Sequence, residues 1–398
     1  MKTAIVGAGP TGATLAYLLA RRGLEVVLVE RAEDFARMFR GEALMPSGVR
    51  VLDQLGLDTQ LQEVPTRLID YLEYFVDGDP LMNIREPDRD NDDAIRFMSQ
   101  EHFLAMLIQE AKRFDNFSFV SGFAVRDVVC DAEQVVLSAE SQEDIHADLV
   151  IGADGRGSIV RKRANFELDR SMEASSSNYD ALWSMLPLPE WLERETRFYA
   201  FLGRSRLGTM YPAPAGGLRV GWLFPKDADP ELRKRNPVTE VAAMAPPHLR
   251  AWLLDHADHG GDTSFFRVTF GHCPTWSRPG LLLLGDAAHP MSAIRAQGIN
   301  IGLRDAVVAA NHLVPALQRG GREALTQACE RIQAEREPEV REAQRMQIQI
   351  AQIPPIFFRP GFRRWVMPML VKLGIPQAIN VRQERVLRYG LGAVKLEV

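Results

Sequence analysis

The segment "TAIVGAGPTGATLAYLLARRGLEVVLVER", residues 3–31, leaves this chain few ways to begin its fold. Ala4-Ile5-Val6 is a short apolar run of the kind that forms a buried parallel strand. Gly7, Gly9 and Gly12 follow with G-x-G-x-x-G spacing, where the strand hands over to a helix. The first glycine permits a tight turn, the second lets a phosphate approach the backbone, and the third lets helix and strand pack closely. The pattern predicts a helix from about Pro10 to Arg22, closed by Gly23, and a second strand through "LEVVLVE". The free N–H groups and positive dipole end of that helix suit an anion. Glu30 ends the second strand 18 residues after Gly12, near the roughly 20 at which an acid meets a ribose 2′-hydroxyl. Because an acid there repels a 2′-phosphate, the expected ligand is FAD or NAD rather than NADP.

Composition narrows the rest. With 398 residues, 46% hydrophobic and 25% charged, the chain has the make-up of a globular protein large enough to bury its core without disulfide or metal staples. A net charge of −5 without long runs of one sign argues against a nucleic-acid partner. Three widely spaced cysteines, Cys130, Cys273 and Cys329, form neither a disulfide framework nor a zinc spacing; they read as small buried hydrophobes in a reducing cytoplasm. No signal peptide precedes the first strand, no apolar stretch is long enough to span a bilayer, and no metal-ligand spacing or G-x-S-x-G nucleophile turn occurs.

Two later segments repeat the strand-then-small-turn design. "DLVIGADGRGSIVR" (148–161) ends a buried-strand pattern in Gly152-Ala153-Asp154-Gly155, with Arg161 adding charge. "LLLLGDAAHP" (281–290) ends four leucines in Gly285-Asp286, where the acid can accept a sugar hydroxyl. Together, "GAGPTG", "GADGRGS" and "GDAAHP…QGIN" resemble the class A flavoprotein aromatic hydroxylases, the para-hydroxybenzoate hydroxylase-like FAD-dependent monooxygenases. The resemblance covers about residues 1–345. It implies an α/β fold: a Rossmann-like FAD-binding domain (GR2-type) with an inserted, mainly antiparallel β-sheet substrate domain and a helical C-terminal region. The expected division is 1–70, 95–170 and 270–345 for FAD, 71–94 and 171–269 for substrate, and 346–398 as the C-terminal segment.

The resemblance also implies roles. Gly7, Gly9 and Gly12 face the pyrophosphate and Glu30 the adenosine ribose, with Arg31 following that acid. Arg40, in "FRGEALMPSGVRVLDQLGL", matches an arginine that reaches the flavin. Gln100 stands where relatives carry an arginine toward FAD. Asp154 and Gly155 lie near both FAD and the NAD(P)H that reduces it. Gly285 and Asp286 meet the ribityl chain, and Gly298, Ile299 and Asn300 open a helix beneath the flavin pyrimidine. His289 is expected to order its own turn. Relatives read GDAAH-P-M-x-P-x-x-G-Q-G-x-N; here Ala293 replaces the loop proline, and Arg295-Ala296 stand where a small residue and a glycine are common. Arg295 could pair with an anionic substrate, steady negative charge on the flavin, or point to solvent. The implied chemistry is NAD(P)H-driven hydroxylation of an aromatic or polyketide-like molecule through a flavin C4a-hydroperoxide.

Between the second and third motifs, aromatic and small residues alternate with Gly/Pro turns ("RFYAFLGRSRLGTMYPAPAGGLRVGWLFP"), which argues antiparallel strands. The expected sheet roofs the flavin, with strands near 71–85 joining it. Trp183, Phe201, Met210, Trp222 and Phe224 are substrate candidates, and Tyr211 joins Arg295 as a catalytic candidate. "GWLFP" (221–225) partly resembles an element of flavin-dependent isoprenoid reductases, which keeps double-bond reduction open beside a non-catalytic FAD-binding role. From about 303 to 350 a long helical region is expected, its charges forming a solvated face. The tail "IPPIFFRPGFRRWVMPMLVKLGIP" suits packing on its own protein, an oligomer contact or a membrane surface. A monomer or homodimer acting with O2 on a small hydrophobic substrate fits these features.

Overall fold

In the computed structural model, every residue is described except 36–40, 87–92, 132–133, 141, 173–178, 205, 227–229, 262, 352–355, 357–358, 360, 367–368 and 370–384. The first strand, Lys2–Val6, has four of its five residues buried. It pairs in parallel with Glu25–Val29 on one side and Leu149–Gly152 on the other. The six-stranded sheet runs Ser277–Arg278, Leu281–Leu283, Leu149–Gly152, Lys2–Val6, Glu25–Val29, Phe117–Val120. All its pairings are parallel except that of the short edge strand Ser277–Arg278. Parallel strands buried on both faces need unbroken apolar runs, which "LVIG" and "LLL" supply.

This order puts three adjacent strands, Leu281–Leu283, Leu149–Gly152 and Lys2–Val6, side by side with their carboxyl ends aligned. The three glycine turns distant in sequence therefore share one sheet edge, and Glu30 joins them from the next strand. Helices Pro10–Arg21 and Gln297–Arg319 pack on each other, and the 30-residue helix Arg322–Ala351 packs behind the second.

A seven-stranded sheet forms the second layer, in the order Ser264–Phe266, Tyr179–Leu186, Leu218–Pro225, Arg206–Pro212, Arg197–Gly203, Tyr71–Val76, Asp79–Arg85. Only the Arg197–Gly203 and Tyr71–Val76 pair is parallel. The 71–85 hairpin does join it. Its outer face packs under the helices Pro237–Ala242 and Pro247–Asp255, in one apolar cluster that includes Phe75, Phe201, Met210, Trp222, Phe224 and Leu249. Its inner face meets Met45, Phe97 and Ala296 of the cofactor-side layer through Leu72, Trp183, Tyr211 and Leu223.

The chain's last residues return to the first layer. Arg388 pairs with the buried Glu86, and Leu387 is buried. Gln54 clasps the backbone of Val394 and Leu396, as Asn311 does that of Lys395 and Glu397. Residues 385–398 thus pack on their own protein, while most of the segment 353–376, for which three uses were left open, lies outside the described residues. Cys273 and Cys329 are buried as expected, whereas Cys130 is exposed. It sits on a strand with only Val128 buried, so that strand offers it no core to enter. No helix among the described residues is long and apolar enough to cross a membrane, and no metal-ligating cluster occurs among them.

Candidate active site

The glycine turns build a cradle that side chains would fill. Gly7 has φ +101°, and a Cβ there would come within 2.5 Å of the Ala153 carbonyl oxygen. A Cβ on Gly12 would lie 2.0 Å from the Gly7 oxygen. The first two motifs are thus in backbone contact, which only glycine permits. Helix Pro10–Arg21 starts at Gly9 with no side-chain cap, so its N–H groups keep their capacity for an anion. Glu30 accepts from the Ala8 N–H at 2.9 Å and the Ala32 N–H at 3.1 Å. It fixes the glycine turn, and each carboxylate oxygen retains a further lone pair for a ribose hydroxyl. Arg31 is exposed. Arg40 lies outside the described residues. Gln100 opens helix Gln100–Ala111 and donates to the Gly41 carbonyl at 3.3 Å.

Asp154 caps the short helix Ile159–Arg163 by accepting from the Ile159 N–H at 2.6 Å. Its other oxygen, Oδ1, is buried with no hydrogen-bond partner among the described residues. Burial, outweighing the Ser158 and backbone hydrogen bonds, holds this carboxyl above its usual range. Gly155 follows at φ +76° with open space around it. Arg161, itself buried, donates to the Ala287 carbonyl at 2.6 Å and the Arg156 carbonyl at 2.7 Å, locking the second turn to the third.

In the third turn Asp286 is half-buried, and a Cβ on Gly298 would stand 3.6 Å from its Oδ1. Helix Gln297–Arg319 begins here, again without a side-chain cap. Ile299 is half-buried in its first turn. The Asn300 side chain is committed to protein: Oδ1 accepts from the Met45 N–H at 2.8 Å, and Nδ2 donates to Ala296 O at 2.7 Å and Ala43 O at 3.1 Å. Its role is to tie segment 43–45 to the helix. An orphaned buried carboxylate oxygen, a cradle that admits no Cβ and two uncapped helix N-termini on one edge all fit a flavin dinucleotide.

Beneath the third turn lies a buried ionic network that sequence reasoning had assigned to a solvated face. Asp305 is fully buried. It accepts from His289 at 2.8 Å, from Arg336 at 2.7 Å and from the Gly285 N–H at 3.2 Å. Arg336 also pairs with Glu339, which Arg304 reaches at 2.8 Å, and all four charged residues are at most 6% exposed. Charges spaced i, i+3 on a helix look the same in sequence whether they face water or each other. His289 holds the turn, as expected.

The inner face of the seven-stranded sheet packs on the cofactor-side layer. Strand alternation sends Trp183 and Tyr211 inward. The same alternation sends Phe201, Met210, Trp222 and Phe224 outward into the cluster beneath the covering helices. These four are therefore not brought to the inner face, which corrects their expected placement. With Trp222 and Phe224 turned away, the "GWLFP" likeness to reductases has no counterpart at the cofactor edge. The Trp183 ring lies over Gly221, where a Cβ would come within 2.4 Å of it.

Tyr211 stacks on Phe97 with ring centroids 4.3 Å apart. Its hydroxyl donates to Glu42 at 3.4 Å, and Arg219 reaches Glu42 at 2.9 Å. Burial first, then the Glu42 charge, pushes the phenol well above 10, so it stays protonated. Burial raises Glu42 as well, with Arg219 opposing. Arg295 is half-buried and donates to the Tyr74 hydroxyl at 3.1 Å, crossing from the third motif to the roof sheet. Glu42 and Tyr74 escaped sequence reasoning; an acid inside the apolar "GEALMP" was the signal for the first.

Known proteins share these features. A family model for a FAD binding domain matches residues 1–345. The chain is 32% identical over 353 residues to the 6-methylpretetramide 4-monooxygenase of Streptomyces rimosus, covering 86% of this chain and 82% of that protein. It is 25% identical over 338 residues to the 6-hydroxynicotinate 3-monooxygenase of Pseudomonas fluorescens, covering 78% and 82%. The crystal structure of P. aeruginosa PqsL in complex with 2-aminobenzoylacetate has the same fold, with a TM-score of 0.75 at 23% identity over 88% of this chain and 95% of that one. A cofactor edge assembled from three glycine turns, roofed by a sheet and matched along most of the chain, has one consistent reading: the protein belongs to the FAD binding domain family and, within it, to the class A flavoprotein monooxygenases.

Proposed function

We propose that this enzyme uses NAD(P)H and O2 to hydroxylate a flat aromatic or polyketide-like molecule held between the carboxyl edge of the six-stranded sheet and the inner face of the seven-stranded sheet. The observation that carries this reading is that three glycine turns share one sheet edge while the aromatic inner face of the second sheet packs on Met45, Phe97 and Ala296 beside the third of them. The substrate class is supported by the polyketide-type and aromatic substrates named for its relatives. Bound FAD supplies reduction by the nicotinamide and activation of O2, and the protein supplies placement, charge and dryness.

In this reading Gly7, Gly9 and Gly12 receive the pyrophosphate and Glu30 the adenosine ribose, with Arg31, Arg40 and Gln100 at the flavin's flank. Asp154 Oδ1 and Gly155 meet the cofactor's middle, and Gly285 and Asp286 its ribityl chain. The N–H groups of Gly298, Ile299 and Asn300 stabilise negative charge on the reduced ring. Trp183 and Tyr211 bound the substrate, and the Tyr211 phenol donates a hydrogen bond while Glu42 and Arg219 hold it. Arg295 faces an anionic oxygen of the substrate. Segments 1–70, 95–170 and 270–345 serve the cofactor, 71–94 and 171–269 the substrate, and the protein works in the cytoplasm as a monomer or homodimer.

The test is purification with an absorbance spectrum, then NAD(P)H oxidation and product analysis against phenols and aromatic polyketides. A flavin spectrum and substrate-stimulated, oxygen-dependent product formation are expected. Failure to bind FAD on reconstitution, or product formed without O2, overturns the reading. Arg295→Ala is expected to keep FAD and raise KM at least tenfold for an anionic substrate; unchanged turnover rejects its role.

A further inference from the structure

Loop 290–296, which carries Arg295, is held by side-chain amides. The Pro290 carbonyl accepts from Gln344 at 3.3 Å, and Arg295 O from Gln297 at 2.8 Å. Ser292 O and Ile294 O both accept from the Gln347 amide, at 3.0 and 2.7 Å, and Ala296 O accepts from Asn300. In return the Ser292 N–H donates to Gln347 Oε1 at 3.2 Å. Gln344 and Gln347 are fully buried, and Gln297 and Asn300 nearly so. The held backbone is strained. Arg295 (φ 62°) and Ala296 (φ 49°) are consecutive non-glycine residues in the left-handed region, a conformation that persists only where surroundings over-determine it.

We infer that Gln347, some 50 residues from the motif on helix Arg322–Ala351, is a positioning residue for the hydroxylation. Its carboxamide clasps both sides of Ser292 and the Ile294 carbonyl. It thereby selects the strained loop that sets the Arg295 guanidinium on Tyr74 and aims helix Gln297–Arg319 at the cleft. The alternative, a relaxed right-handed backbone at 295–296, would turn Arg295 away from the roof sheet. This inference rests on the proposed function in one respect: that the loop borders flavin and substrate. Loosening the loop then admits water, and the two electrons from NAD(P)H reduce O2 to H2O2 instead of leaving one oxygen atom in product and the other in water.

The test compares wild type with Gln347→Met, which keeps the volume and removes every hydrogen bond, and Gln347→Glu, which keeps only the acceptor for Ser292. Hydrogen–deuterium exchange is read on peptides spanning 290–297, and H2O2 and product are measured per NAD(P)H on the FAD-loaded enzymes. Expected results are at least tenfold faster loop exchange in Q347M with the Lys2–Val6 strand unchanged, a several-fold larger H2O2 fraction at unaltered FAD content, and intermediate values for Q347E. Unchanged loop exchange overturns the clasp. Faster exchange with unchanged coupling overturns the positioning role. If neither variant folds, wild-type exchange decides: protection at 292–296 matching helix Gln297–Arg319 supports the clasp, and an unprotected loop overturns it. A wild-type chain that binds no flavin overturns the proposed function instead, while the exchange result stands alone.

Discussion

Replacing Arg336 by Met tests whether the charges under the third glycine turn act as a unit. Arg336 is 2% exposed and lies between Asp305, at 2.7 Å, and Glu339. Methionine conserves much of its volume and removes its charge. Burial alone would raise the Asp305 carboxyl, but His289 and Arg336 outweigh it and hold the group down at about 2 against an ordinary 3.8. A carboxylate shifted that far contributes about 2 kcal/mol, present above pH 4 and lost as pH falls toward 2. Removing one partner of a buried pair costs more than this contribution, about 3–5 kcal/mol, because the remaining charge is left uncompensated.

The pH dependence separates this account from simple loss of packing. Without Arg336 only His289 still opposes burial, so the Asp305 carboxyl should rise from about 2 and acid should harm the variant less than the wild type. The stability gap is therefore expected to be full at pH 7 and to narrow as pH falls from about 4 toward 2. Urea unfolding of the flavin-free chain at several pH values measures this. Arg336→Met combined with Asp305→Asn should recover part of the loss, since the stranded charge is gone. A deficit below about 1 kcal/mol at pH 7, or one independent of pH, would refute the reasoning. Because the Gly285 N–H donates to Asp305, weaker FAD affinity is expected in the single variant.

Ala296→Gly should stabilise the chain by about 1 kcal/mol by removing a left-handed alanine, read as a rise in Tm; an unchanged or lower Tm contradicts the strain. Burial and the neighbouring Arg341 and His289 charges push His272 down to about 4 from 6.5, so its contribution is complete above pH 6.5 and lost as pH falls to 4, about 3 kcal/mol in all. His272→Gln should flatten the stability curve in that window, and an unaltered slope would assign the acid sensitivity elsewhere. Trp222→Phe should lower stability by about 1–3 kcal/mol and leave KM alone, since the ring is wholly buried on the outer face, whereas Trp183→Phe should change KM. Equal effects on KM would undo the assignment of sheet faces.

The cofactor edge was legible in the sequence because glycine spacing acts directly on backbone. Gly7 and Gly12 cannot carry a Cβ where they stand, and no distant residue can alter that requirement. Strand phase in "RLGTMYPAPAGGLRVGWLFP" was less legible. Both faces of the roof sheet are covered, the outer by helices and the inner by the cofactor layer, so apolar residues occupy both and alternation loses its contrast. Met210 and Tyr211 are neighbours that each offer apolar surface for burial; only the register decides which one faces the cofactor layer. Arg336 and Glu339 were hidden for a related reason, since buried ion pairs and solvated ones share the same spacing. Gln347 gave no sequence signal, because a glutamine in a polar helix acquires a role only when a loop backbone is brought beside it.

Loop 290–296 shows how a departure from a family pattern can be visible in sequence while its meaning depends on structure. Ala296 stands where glycine is common in the resembled family pattern, and its φ of 49° is one that glycine adopts without strain: the turn into helix Gln297–Arg319 takes a left-handed residue here. Keeping the turn without glycine leaves strain that something must offset. Four buried carboxamides, on Gln297, Asn300, Gln344 and Gln347, meet five loop carbonyls. Each hydrogen bond is worth about 1 kcal/mol, against about 1–2 kcal/mol for each left-handed residue. The hydrogen bonds, about 5 kcal/mol together, therefore offset the strain of the two left-handed residues, about 2–4 kcal/mol. The same Gln297 amide also donates to Leu387 O, so the loop is tied to the returning tail as well as to its own helix.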